Sequence, residues 1–157
     1  MKTRLLATLA LIAFAGQTAA QDAAAGDAAK GEKEFNKCKA CHMIQAPDGT
    51  AIVKGGRTGP NLYGIVGRPF ATYPDYKYGD GILALAAANP GAVWDVNSLK
   101  AYVTDPTGYL DQHSGDPKAK SKMTFKLTRN QDDLVAYLLS VSPDAPAQPA
   151  PGGGAPQ

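Results

Sequence analysis

From Gln45 to Gly79 the chain runs through glycine, proline and polar residues with no helical or alternating apolar period, and only Leu62, Tyr63, Ile65 and Val66 stand out as candidates to pack inward. A connection of that length is uncommon in a compact domain unless it wraps something. The flanking segments point the same way. They are short amphipathic stretches, and short helices need a shared core because few of them are stable alone in water. Large apolar side chains are too few to build that core without help, so an apolar cofactor would complete it.

The helical candidates are readable from caps and periodicity. Asp27 caps a helix from about Ala28 to Cys41, with Gly31 and Phe35 one turn apart on its inner side. Gly81 to Ala88 forms a second. Asp95 or Asn97 starts a third through Leu99, Tyr102 and Val103, which stops before Pro106. Asn130, with Asp133 three residues on, caps a last helix whose stripe is Leu134, Tyr137, Leu138 and Val141. No internal repeat and no convincing strand accompanies them. The expected fold is therefore all-α, with three to five short helices and long loops.

Neither end belongs to that domain. Lys2 and Arg4 precede an apolar run from Leu5 to Ala15 and small residues up to Ala20, so residues 1–20 read as an export signal cut before Gln21. The run is well short of the roughly 20 residues that span a bilayer. Residues 143–157 are rich in Pro, Ala and Gly and bury little surface to offset their ordering entropy, which gives a disordered tail after a domain at 21–142. Of 16 basic residues, Lys2 and Arg4 leave with the signal, so 14 remain against 14 acidic ones. That balance, with no recognition motif, argues against nucleic-acid binding.

Both cysteines lie in "FNKCKACHMI", at Cys38 and Cys41, with His42 next. A zinc site assembled from Cys38, Cys41, His42 and His113 would lack the usual histidine spacing. A dithiol of the Cys-x-x-Cys type lacks its strand-to-helix setting. Cys-x-x-Cys-His is the attachment signature of c-type haem: two thiols three residues apart add to the two vinyl groups, and the adjacent histidine is carried to the iron. This reading is preferred over the other two. What fills the second axial position decides between an electron carrier and a binder of small ligands, and the Met or His candidates beyond His42 are Met43, His113 and Met123. Met43 is tied to His42, and His113 in "YLDQHSGD" reads as a solvated loop histidine. Met123, in "KAKSKMTFK", is far enough along the chain to close over the other face, and a thioether paired with histidine raises the haem potential.

Taken together, "GEKEFNKCKACHMI", "TGPNLYGIVGR", "YKYGDGI", "VTDP", "SKMTF" and "DLVAYL" occur in an order that strongly resembles the class I bacterial cytochromes c of the cytochrome c2 and c-550 type, over about Asp27 to Val141. The departures lie around "RPFATYPDY" and "GYLDQHSGD" and in the tail. The resemblance implies the class I cytochrome c fold around one haem c per chain, thioether-bound at Cys38 and Cys41, with His42 and Met123 as axial ligands. It implies that Pro60 offers its carbonyl to His42. It also places Arg68, Tyr78 and Trp94 around a buried propionate, brings the Tyr102 hydroxyl near the methionine sulfur, and sets Gly31 and Phe35 against Leu134 and Tyr137.

The function implied is that of a monomeric, soluble one-electron carrier of the periplasm, not an enzyme. By the same resemblance its donors are the cytochrome bc1 complex or periplasmic dehydrogenases. Its acceptors are cytochrome c oxidase, nitrite reductase or a peroxidase, or a photosynthetic reaction centre where the organism has one. Encounters would be transient, through a haem edge ringed by Lys37, Lys39, Lys120, Lys122 and Lys126. The alternatives are a ligand-binding or catalytic haem protein and an electron-transfer subunit of a dehydrogenase complex.

Overall fold

The structure, a computed structural model, describes residues 26–146. Five α-helices account for most of the regular structure: α1 (Ala28–Glu34), α2 (Asp80–Ala88), α3 (Val96–Thr104), α4 (Pro106–His113) and α5 (Gln131–Ser140). The all-helical expectation holds at its upper count, with three differences in the elements themselves and two in the capping.

The first helix is shorter than its sequence period suggests. Asp27 caps it as expected, accepting from the backbone of Ala29 and Lys30, but after Glu34 the chain tightens into a 3₁₀ turn at Phe35–Lys37. Cys41 and His42 then donate their backbone N–H groups to the Cys38 carbonyl, at 3.0 and 2.9 Å. The cysteine segment is thus wound by local turns and not by a continuing helix.

The second difference is α4. Pro106 ends α3 and also begins a new helix, because Asp105 accepts from the Gly108 N–H while Pro106, which has no N–H to satisfy, occupies the first turn. The third is a small antiparallel hairpin, β1 (Ile44–Gln45) with β2 (Ala51–Val53), closed by a turn in which Gly49 has φ +88°. Asn130 also departs from expectation. It stands at the start of α5 in the left-handed region and makes no capping bond; its side-chain amide donates instead to Glu34 Oε1 at 2.9 Å.

α1 crosses α5, and the crossing explains Gly31. A Cβ there would lie 1.8 Å from the Asp133 carbonyl oxygen and 2.7 Å from Tyr137 Cβ, so only glycine lets the backbones meet. Phe35 packs its ring edge-on to Tyr137, centroids 5.8 Å apart. Asp133 does not cap its own helix in the expected pairing but accepts from the Asp27 N–H at 2.8 Å, tying the two helix starts together. Leu134, Val135 and Leu138 continue the core toward Leu99 and Val103 of α3. Past Ser142, where the sequence suggests a tail, the chain makes one more turn that packs Ala145 on the core and brings Pro146 against Gly67. The expected export signal and residues 147–157 of the tail lie outside the described residues.

Candidate functional site

The long connection and the loop after α4 enclose a cleft whose walls also take in α2, α3 and α5. Its interior is apolar, with Phe35, Leu62, Ile65, Leu99, Leu134 and Leu138 among the lining side chains. Cys38, Cys41, His42 and Met123, singled out from sequence, all face this one cleft.

His42 is fixed from two sides. Its Nδ1 lies 2.8 Å from the Pro60 carbonyl oxygen, so Nδ1 carries the proton and Nε2 is left as the basic nitrogen. Gly59 lies flat against the ring: a Cβ at that position would come within 2.3 Å of Cε1. Burial pushes the His42 pKa down, partly offset by the Pro60 bond, which keeps the ring in the neutral form that a metal ligand requires. Burial also pushes the Cys38 thiol up to about 11, while Cys41 is exposed.

Met123 is positioned through a residue that sequence reading missed. Ser121 Oγ accepts from the Met123 N–H at 3.0 Å and pairs with the Tyr102 hydroxyl at 2.7 Å. Tyr102 thus reaches the methionine through Ser121. Nothing in the local sequence marks a serine two residues before a methionine as special. Tyr76 is a second such case, its hydroxyl donating to the Thr58 carbonyl at 2.9 Å at the cleft. Lys122, expected only as a surface charge, also has a structural part, since its stem lies across Gly79 and its Nζ donates to the Lys77 carbonyl at 3.1 Å.

Trp94 and Tyr78 line the cleft, Trp94 nearly fully buried with its ring against Phe70 and Tyr102. Arg68 does not line it. The guanidinium instead donates through Nη1 to the Asn61 carbonyl at 2.9 Å and through Nη2 to the Tyr63 carbonyl. Of the lysines expected around the edge, Lys37, Lys120 and Lys122 line the cleft, whereas Lys39 and Lys126 do not. Lys37 is ion-paired with Glu34 and Lys126 with Asp105 at 2.8 Å.

These residues fit a flat apolar macrocycle carrying iron. The walls are hydrocarbon, Gly59 leaves room where a side chain would displace the histidine, and two thiols, a neutral imidazole and a thioether face the same space. Among the described residues no group of three or more His, Cys, Asp or Glu is arranged to hold a bare metal ion, which disfavours the zinc alternative for Cys38, Cys41, His42 and His113. His113 is instead at the end of α4 with its ring against Tyr109, 4.3 Å between centroids.

No protein-family model matches the chain. Individual proteins do. Cytochrome c-550 of Paracoccus versutus is 60% identical over 155 residues, covering 99% of both chains. Cytochrome c2 of Rhodobacter capsulatus is 57% identical over 122 residues, 78% of this chain and 88% of that protein. The crystal structure of cytochrome c2 from Paracoccus denitrificans superposes with a TM-score of 0.75 at 62% identity, over 76% of this chain and 99% of the other.

Proposed function

Because this chain belongs to the class I cytochromes c of the cytochrome c2 and c-550 type, and is thus an electron carrier with one haem c attached through Cys38 and Cys41 rather than an enzyme, we propose that His42 and Met123 are the axial ligands of that haem. The observation that carries the proposal is that both residues face one apolar cleft, each held by its own backbone or hydroxyl partner. When bound, the haem supplies a one-electron iron couple whose potential is set by its axial ligands, neighbouring hydrogen bonds and burial.

The chain's own residues do the rest. Pro60 and Gly59 orient the His42 ring, and the Pro60 carbonyl raises its basicity as an outer-shell acceptor. Ser121 fixes the backbone of Met123. The apolar walls exclude water, which favours the less charged state of a redox centre. With His42 and Met123 both holding the iron, no open position would be left for a substrate, which would separate the carrier from a ligand-binding haem protein.

We assign the working location to the periplasm, in keeping with the export signal read at residues 1–20 and with haem attachment. No helix among the described residues is long and apolar enough to cross a membrane. The proposed donors are the cytochrome bc1 complex or periplasmic dehydrogenases, and the acceptors cytochrome c oxidase, nitrite reductase or a peroxidase. The cleft mouth presents Lys120 and Lys122, so an acidic docking face is the complementary partner surface, engaged by a monomer in short encounters.

Met123→Ala tests the ligation. In the haem-loaded protein it should abolish the weak red-region absorption band of oxidised methionine-ligated haem, lower the potential and admit exogenous ligands. An unchanged spectrum would overturn the assignment.

A further inference from the structure

Arg68 is a partly buried cation with an unusual set of neighbours. Both bonds from its terminal nitrogens go to neutral backbone oxygens, of Asn61 and Tyr63, and it forms no ion pair among the described residues. Those acceptors are themselves anchored. The Asn61 side chain accepts from the Gln45 N–H at 3.0 Å and the Tyr63 N–H at 3.0 Å, and donates to the Gln45 carbonyl at 2.7 Å, so the 61–63 turn cannot drift. The Arg68 backbone is held too, its carbonyl accepting from the Trp94 N–H at 2.9 Å. The charge therefore stands at a fixed point on the carbonyls of the 61–63 turn, whose neighbours Pro60 and Leu62 line the cleft.

One side of the guanidinium is closed by an aromatic ring. The Arg68 carbon Cζ lies 5.0 Å from the centroid of Tyr73, within the range of an attractive cation–π contact. Tyr73 is held in turn by the cleft wall, because its backbone N–H donates to the Tyr78 hydroxyl at 3.1 Å. The segment reaches this position through Ala71 and Asp75, both at positive φ, +60° and +57°. It lies in "RPFATYPDY", one of the stretches where the sequence departs from the family pattern.

We propose that Tyr73 is a positioning residue for the reduction potential: its ring shields the Arg68 guanidinium from water, so that the fixed positive charge acts on the haem cleft across protein and not through solvent. The physical basis is the distance and dielectric dependence of Coulomb's law, since a unit charge is felt far more strongly through protein than through water. A cation beside the cleft favours the reduced, less positive state of a centre inside it. Removing the ring lets water reach the guanidinium, screens the charge and stabilises the oxidised state. Burial of Arg68, which disfavours its charged form, is consistent with a desolvated cation kept in place by the fold. The inference rests on the electron-carrier reading but not on which residues ligate the iron.

The test uses the haem-loaded full chain and compares midpoint potentials by optical redox titration at low and high ionic strength. Tyr73→Leu should shift the potential downward and steepen its fall with added salt; Tyr73→Phe, which keeps the ring, should restore both to the wild-type values. In an Arg68→Gln background, Tyr73→Leu should produce no further shift. Circular dichroism and the ferric red-region band are followed in every variant. A retained band with a moved potential supports the shielding role, while loss of the band in wild type would strike the Met123 ligation instead. The proposal is overturned if Tyr73→Leu leaves the potential where it was, or moves it equally with and without Arg68. If Arg68→Gln does not fold, failure of Tyr73→Phe to restore the salt response overturns it just as well.

Discussion

Gly59→Ala is the sharpest probe of how the proximal side of the cleft is built. The added Cβ would sit 2.3 Å from Cε1, 2.6 Å from Nδ1 and 2.7 Å from Nε2 of His42, against 3.4 Å or more for ordinary contact. The ring must therefore retreat by about 1.1 Å, the difference between 3.4 and 2.3 Å. Pro60 is the next residue, so a ring pushed away from residue 59 also leaves the Pro60 carbonyl that it now meets at 2.8 Å. Overpacking of this kind costs about 1–3 kcal/mol, and a lost hydrogen bond about 0.5–1.5 kcal/mol more. At roughly 3–5 °C per kcal/mol for a domain of this size, the haem-loaded variant should melt about 5–20 °C below wild type. The potential should rise as well, because an imidazole without its carbonyl acceptor is a weaker donor to the oxidised metal. Gly49→Ala separates strain from collision: nothing lies within 4 Å of that position but its φ is +88°, so it should cost only about 1–2 kcal/mol and leave the potential untouched. The reasoning is refuted if Gly59→Ala melts within two or three degrees of wild type at an unchanged potential.

Three further outcomes are expected. Gly31→Ala should destabilise by about 1–3 kcal/mol or more in denaturant titration, because its Cβ would meet backbone of α5 at 1.8 Å and the two helices must part. Stability should also decline in acid. Asp27, Glu34 and Asp105 are held below the usual carboxylate range, chiefly by hydrogen bonds from the Lys30 backbone, Lys37 and Lys126 respectively. A lowered carboxyl contributes stability above its unfolded pKa, so thermal midpoints should be flat near neutrality and fall as pH drops through about 4 and below. Charge reversal at Lys120 and Lys122 together should slow electron transfer to a purified oxidase at low ionic strength, with the gap closing as salt is added; the same change at Lys30 and Lys100, already paired with Asp27 and Asp132, should matter less, and equal rates in both sets would reduce the lysines to a solvated surface.

How much of this fold is legible in sequence depends on whether one residue serves one purpose. Asp95 caps α3 as the sequence suggests, and the capping box with Ser98 is complete. Asp105 and Pro106 do two things at once, ending α3 and starting α4, and only the first is legible because a proline after a periodic run ordinarily reads as a stop. The hairpin escapes for another reason. Two and three residues per strand are too few to show alternation, and the signal that could have found it is the Pro47-Asp48-Gly49 turn between them. Asn130 misleads because asparagine suits both a cap and the left-handed region, and here the backbone takes the second.

The site divides along a similar line. That Cys38, Cys41, His42 and Met123 would share one cleft is legible, the first three because covalent attachment fixes their spacing in the chain itself, and Met123 because the chain beyond the export signal offers so few rivals. Ser121, Tyr76 and Tyr73 are not legible, since each works through a neighbour brought up by a different loop: Ser121 through Tyr102, Tyr76 through Thr58, Tyr73 through Arg68. The helices are where the fold is secured, at the Gly31 crossing and the Leu134 stripe, yet none of them alone holds His42 or Met123 in place. Orientation comes from loop backbone, with carbonyls at Pro60, Asn61 and Tyr63 and the N–H of Met123 doing the fixing. A backbone group leaves no mark in sequence. Substitutions that tune this carrier without unfolding it should therefore concentrate in 58–63, 73–78 and 121–123, where a side chain alters the dielectric or the hydrogen bond around a centre whose ligands stay the same.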